Sequence, residues 1–166
     1  EMAVLDSLRS YDYFIGVGHN GIRRKVQEAL VNILGQPINA IHPTAVVSAS
    51  VEMKYGVMIS ANATLNPLVT LGHGVICNTS CSIDHECSID DFAHVGPGAV
   101  LCGNVKIGAG TFVGANAVVK QGVSIGNNVT IGAGTVVIRD IPDNTIVVGN
   151  PQRVLVKPEV QKLAAA

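Results

Sequence analysis

The residues best suited to chemistry in this 166-residue chain are Asp84-His85-Glu86, an imidazole between two carboxylates. A carboxylate beside a histidine can orient the ring and stabilise its charged form, the arrangement expected of a general base working near neutral pH. Further along, His94 closes the run Asp90-Asp91-Phe92-Ala93-His94. Plainer readings stand beside these: a solvated corner histidine for His85 and an exposed strand histidine for His94. His19, His42 and His73 carry less. His19 sits in the loop before a helical pattern, and His42 and His73 have no acidic neighbour, so both are read as structural.

The elements that position these side chains follow from a six-residue period. From Ile41 in steps of six to Val137 (Val47, Met53, Ile59, Leu65 and onward), every residue is aliphatic or a thiol. The fifth place of each hexad, from Ala45 to Ile141, is small or β-branched, and residues 41–142 hold the hexads without an insertion. Places five and one flank one outward residue, so both point to the same side of a short strand. Places two to four are rich in Gly, Asn, Asp and Ala and turn a corner, where positive φ is cheap. Three strands and three corners make one triangular coil, and coils stacked at about 4.8 Å give a prism roughly 27 Å long. A long helix is excluded, because a period of six fits neither helical nor coiled-coil spacing.

The prism explains the composition. A narrow interior takes Val, Ile, Ala and Cys but no large ring, in keeping with 4% aromatic residues and no Trp. Charged residues are 14% of the chain and the net charge is -1, which leaves no basic excess for nucleic acid. Apolar content of 48% excludes a disordered chain. Small or polar residues interrupt every apolar stretch long before the roughly 20 residues of a membrane span. Cys77, Cys81 and Cys87 fall at inward places and Cys102 at a corner, without C-x-x-C spacing; they read as buried thiols of a reducing compartment. With no visible signal peptide, the expected location is the cytoplasm.

The same register puts His85 at a corner tip and His94 at an outward strand place half a coil away. The two then lie on opposite sides of one prism and can share a site only between subunits, which favours a cyclic oligomer of three prisms with three clefts. A three-histidine zinc site would need imidazoles on one corner stack or on facing strands. Steps of one coil from His85 meet Pro67, Gly103 and Gln121 instead, so no metal is expected.

Before the prism, residues 11–18 read as a buried strand ending in a glycine turn. Residues 21–34 carry an apolar helical stripe (Ile22, Val26, Ala29, Leu30, Ile33, Leu34) closed by Gly35. One strand and one helix cannot bury both faces, so residues 1–40 are expected to be the end of a larger α/β domain whose start is missing. The domain expectation continues with a β-helix at 41–142, a cap at 143–161 containing an Ile146-Val147-Val148 strand, and a vector scar at 162–166.

The hexads resemble the hexapeptide-repeat acyltransferases, whose fold is a left-handed parallel β-helix; the hand is implied by that resemblance. Asn78-Thr79-Ser80, Asp84-His85-Glu86-Cys87, Asp91-Phe92-Ala93-His94-Val95, the 103–108 run and Val148-Gly149-Asn150-Pro151 are similar to the branch of UDP-4-amino-sugar N-acetyltransferases and sialic acid O-acetyltransferases. Ile15-Gly16-Val17-Gly18-His19-Asn20, followed by Ile22-Arg23, resembles a strand-to-helix turn of that branch's sugar-nucleotide domain, here the remnant of a small Rossmann-like domain.

The resemblance implies direct transfer from acetyl-CoA in clefts of a homotrimer. His85 would be the general base and Glu86 the residue that raises its basicity. His94 would contact acetyl-CoA, Gly103, Ala115 and Ala133 would hold the cofactor through corner backbone groups, and Gly18 would contact the sugar nucleotide. The acceptor implied is the amine of a UDP-4-amino-4,6-dideoxy sugar, feeding bacterial glycan biosynthesis. Sialic acid O-acetylation is the alternative, and a non-catalytic solenoid scaffold the reading from another class. Members of the branch begin with a glycine-rich nucleotide loop that this chain lacks.

Overall fold

Each hexad folds as a two-residue strand followed by a four-residue corner in the computed structural model, which describes residues 10–155. Strands recur every six residues from β1 (Ala40–Ile41) to β17 (Val136–Val137), and β18 (Ile146–Val148) and β19 (Arg153–Val154) follow. Each strand pairs in parallel with the one three hexads on, as in Ala40 with Met58, His94 with Phe112 and Lys106 with Ser124. The result is a prism with three parallel faces: a first face begun by β1, a second by β2 (Val46–Val47) and a third by β3 (Glu52–Met53).

The inward places form one continuous core, with Ile59, Leu65, Ile83, Leu101, Ile107 and Ile131 all but fully buried. The first coil is looser, because among the described residues no coil stacks beneath it. Ile41 is 48% exposed and Val47 and Met53 are half-buried.

Positive φ is confined to one place in each corner. The fourth place of every hexad from Gly56 to Gly134 is left-handed, with φ between 52° and 75°. Gly or Asn fills most of these positions, since neither meets the full Cβ penalty there. Leu68, Ser80, Glu86 and Phe92 are the costly occupants. Corner tips are tied by side chains to the next coil: Asp91 Oδ1 accepts the His73 N–H (2.7 Å) and Asn127 Oδ1 the Ala109 N–H (2.8 Å).

The last coil departs from the unbroken period. Ile125 bridges to Ile141 and Thr130 pairs with Ile146, a step two residues shorter than the others. The carboxylate of Asp140 accepts the Ser124 N–H (2.9 Å), taking the place of a backbone carbonyl, so the chain turns early. Ile141 therefore packs over Ile125 as a first-place residue, not as the fifth of its hexad. Beyond it, β18 extends the first face and pairs antiparallel with β19. Val136 exchanges backbone bonds with Gly149 and Gln152, which covers the second face. The expected vector scar, and the cap beyond residue 155, lie outside the described residues.

Residues 11–18 form no strand, and the Val17 N–H turns back onto Ile15 O (3.0 Å). Ile38 N–H donates to Tyr13 O (3.0 Å), Ile15 is the buried residue of the run, and no ladder partner lies alongside among the described residues. Helix α1 (Asn20–Leu34) follows, with His19 Nδ1 capping the Ile22 N–H and Gly35 closing the helix at φ 86°. Its polar face meets the prism. Arg23 and Gln27 are buried there, while the apolar stripe of Ile22, Val26, Ala29, Leu30, Ile33 and Leu34 stays half-buried or exposed.

The left-handed column gives a direct test. Asn62→Val forces a β-branched side chain into φ 58° and should destabilise the chain by about 1–2 kcal/mol, whereas Asn62→Gly should be nearly neutral; urea denaturation of both variants checks it.

Candidate active site

His85 stands at the corner between β8 (Ser82–Ile83) and β9 (Ser88–Ile89). Its two acidic neighbours take different tasks. Asp84 Oδ1 accepts the His85 N–H (2.8 Å) and a bond from Asn66 Nδ2 (3.0 Å), and these bonds hold its carboxyl below the usual carboxylate range. Asp84 is thus a brace for the corner backbone. Glu86 addresses the ring, with Oε2 3.1 Å from His85 Nδ1. It does so from a left-handed backbone (φ 60°), a conformation costing about 1–2 kcal/mol for such a residue. The Glu86 N–H donates to Pro67 O (3.0 Å) and His85 O accepts from Asn104 (2.8 Å), so the strained corner is held from the coils on both sides.

With Nδ1 engaged by a carboxylate, the neutral ring keeps its lone pair on Nε2, the atom able to take a proton. The pair is about half exposed in the single chain, open to a ligand. Gly103, one coil on, lies against the imidazole. A Cβ there would come within 2.5 Å of both Cε1 and Nε2.

His94, on β10 (His94–Val95), points outward but is only 9% exposed, because residues 18–20 pass over it. An exposed strand histidine is therefore not what the fold makes of it. Its Nε2 lies 3.0 Å from Asn78 Nδ2, and its ring meets Phe112 edge-on at 5.1 Å. With Asn78 donating, the neutral ring carries its proton on Nδ1, a buried atom. Burial, with a smaller contribution from the Arg23 charge, holds His94 below the ordinary imidazole range; the Gly18 backbone opposes the shift. Gly18, His19, Asn20, Gly21, His94, Gly110, Phe112 and Thr130 line a cleft of about 450 Å³ at the start of α1.

The residues singled out from sequence thus fall into three groups. His85, Glu86 and Gly103 meet at one corner, and Gly18 and His94 line one cleft on the first face. Ala115 and Ala133 occupy successive levels of the corner between the first and second faces, where Ala115 O accepts from Gly134 (2.8 Å). The His85 corner joins the second and third faces, across the prism from the face bearing His94.

Asn78, Asn66 and Arg23 belong to these groups and were missed as individual site residues. The signal for Asn66 was available, one coil of eighteen residues before Asp84. The same step corrects His73: Asp91 sits one coil on and the Tyr55 ring one coil before, at 4.0 Å, so an acidic neighbour is present after all. Among the described residues no group of three or more His, Cys, Asp or Glu could hold a metal ion. No helix there is long and apolar enough to cross a membrane.

A parallel prism of hexads carrying a histidine–carboxylate corner defines the class: the chain belongs to the hexapeptide-repeat acetyltransferases. The family model for bacterial transferase hexapeptide repeats (six repeats) matches residues 80–121 and 104–139. The acetyltransferase domain of PglB from Neisseria gonorrhoeae, solved with acetyl coenzyme A, superposes with a TM-score of 0.89 at 38% identity, over 93% of this chain and 76% of that one. PerB from Caulobacter crescentus, solved with CoA and GDP-perosamine, gives 0.90 at 36% identity over the same shares. GDP-perosamine N-acetyltransferase of Escherichia coli O157:H7 is 33% identical over 104 residues, 62% of this chain and 47% of that protein. The chain spans about half the length of the curated relatives it matches.

Gly103→Ala tests the packing at His85. The added methyl should displace the His85 ring, seen as a change in its imidazole NMR signals, and lower turnover at least about tenfold, while the melting temperature barely moves.

Proposed function

We propose that this chain transfers an acetyl group from acetyl-CoA to the amine of a nucleotide-linked 4-amino-4,6-dideoxy sugar in bacterial glycan biosynthesis, with His85 as general base. The observation that carries the reading is the His85 Nδ1 contact to Glu86, 3.1 Å, which leaves Nε2 free at an open corner. The amine nitrogen attacks the thioester carbonyl carbon as Nε2 takes its proton. The tetrahedral intermediate then collapses with cleavage of the C–S bond, and the proton passes from the imidazolium to the leaving CoA sulfur. Glu86 stabilises the transient imidazolium.

His94 is the acetyl-CoA contact in this reading. Gly103, Ala115 and Ala133 hold the cofactor at their corners, and Gly18 meets the sugar nucleotide. UDP is the nucleotide proposed; GDP-perosamine in the similar structures makes GDP the natural comparison.

The reading includes a homotrimer with active sites between subunits. Outward places on the first face carry Met58 and Phe112 beside Ile76 and His94, which the chain itself already buries, and those on the second carry the half-buried Val100, Val118 and Val136. The third carries Glu52, Thr70, Ser88, Lys106 and Ser124, a surface made for water. The valines of the second face and the uncovered Met58 and Phe112 of the first, set against a polar third face, suit a prism packed on its neighbours. The division into 1–40, 41–142 and 143–161 and the cytoplasmic location belong to the same proposal.

Acetyl-CoA consumption measured side by side with UDP- and GDP-linked 4-amino sugars and with sialic acid tests the acceptor; turnover on sialic acid alone would replace the amine by a hydroxyl. On the active substrate, His85→Ala should lower kcat by at least about 10²-fold. Near-normal turnover in that variant would overturn the mechanism and favour a scaffold. Analytical ultracentrifugation should give three times the 17.2 kDa chain mass; a monomer that binds acetyl-CoA tightly would contradict the intersubunit site.

A further inference from the structure

Arg23 is 1% exposed, yet every acceptor of its guanidinium is a neutral oxygen. Nε donates to Gly74 O (2.8 Å), and Nη1 to Val17 O and Gly18 O (3.0 Å each). Nη2 donates to Asn20 Oδ1 and Phe92 O (2.9 Å each), with Ala93 O at 3.5 Å. Burying a cation without a counter-charge is a poor way to stabilise a helix packing, and an apolar side chain of similar volume would often do as well. What an apolar side chain lacks is the planar fork, which here joins the 17–18 turn, the start of α1 and two successive coils of the prism. Asn20 carries the connection to a third coil, with Nδ2 donating to Gly110 O (3.0 Å) and Thr111 O (3.3 Å).

These are the two sides of the cleft. Gly18 and Asn20 form its rim, and His94 and Gly110 its wall. We propose that Arg23 is a positioning residue that rivets the Gly18 and Asn20 rim to the His94 wall and thereby sets the fit of the acceptor sugar nucleotide. The proposal rests on the reading of this cleft as the place where Gly18 holds the acceptor beside the acetyl-CoA contact His94.

The buried charge has a second effect. Arg23 faces His94 from α1, Asn78 and Phe112 face it from neighbouring coils without charge, and the titratable His19 lines the same cleft. Both burial and the Arg23 charge disfavour the imidazolium, so His94 stays neutral until the pH falls below the ordinary imidazole range. Removing the charge should let it protonate at higher pH.

The test compares the whole chain with Arg23→Lys and Arg23→Met. Lysine keeps the charge, but its single nitrogen cannot reach Gly74, Gly18 and Phe92 together. Methionine keeps the stem and loses both fork and charge. Without substrate, NMR should show His94 titrating at higher pH in R23M and near its normal pH in R23K, with cross-peaks from the His94 ring to Gly18 weakened in both. In turnover, both variants should raise KM for the amino-sugar nucleotide about tenfold, because the Gly18 rim moves, while the ladder keeps His94 on the prism and KM for acetyl-CoA stays within about twofold. Should R23M fail to fold, R23K decides through the cross-peaks and the KM split. Folded variants with unchanged cross-peaks and normal acceptor KM would overturn the proposal, as would equal rises in both KM values with a lowered melting temperature. If the unaltered chain acetylates no amino-sugar nucleotide, the proposed function fails by itself; the cross-peaks and the His94 titration still decide whether Arg23 holds the cleft.

Discussion

Backbone N–H groups along each strand reach the carbonyls of the coil one level on, and this ladder constrains everything else the chain does. It holds only if each hexad closes its corner in the same number of residues, which one left-handed residue in the fourth place allows. Once the ladder holds, side chains three hexads apart stand one above another, and their chemistry is decided in columns. Asn66 braces Asp84, Gly103 lies against His85, and Asp91 receives the His73 N–H. Where the step shortens by two, at Ile141, a carboxylate has to stand in for a carbonyl.

Departures from the cheapest residue at a given place cluster where the proposed function sits. Most left-handed corners use Gly or Asn, but the His85 corner uses Glu86, Leu68 takes the equivalent place one coil before, and Ser80 and Phe92 hold the corners on either side along the chain. A carboxylate in that conformation reaches the imidazole beside it, which glycine could not do. The Arg23 guanidinium is a second such departure, a desolvated cation whose pKa falls to about 10 and which still carries its charge at neutral pH. Its cost is offset by a full set of carbonyl acceptors, and the gain is a rigid join between helix and prism.

The separation of the three groups follows from the same geometry. A triangular prism puts a corner and the face opposite it on different sides, so the His85 corner and the His94 cleft are brought together by a neighbouring prism in the proposed trimer. The valines of the second face, and Met58 and Phe112 of the first, fit that arrangement, as does the polar third face.

Sequence alone determined the prism, because period six with alternating direction leaves one solution for where Ile59, Leu65 or Leu101 must point. It also determined that His85 and His94 lie apart, since their spacing is half a coil. Sequence did not determine which acidic neighbour turns to His85. Asp84 and Glu86 are equally close along the chain, and only the backbone bond to Asp84 and the left-handed φ of Glu86 separate them. Nor did it reveal that residues 11–18 lack a ladder partner among the described residues, that α1 turns Arg23 and Gln27 inward, or that His94 is covered. Those outcomes depend on contacts between segments with no shared period: a turn at 17–20, a helix, and coils at 74, 92 and 110. Periodicity describes a residue's own coil and the coils stacked on it; where a non-repeating segment crosses the prism, only the folded chain decides what it meets.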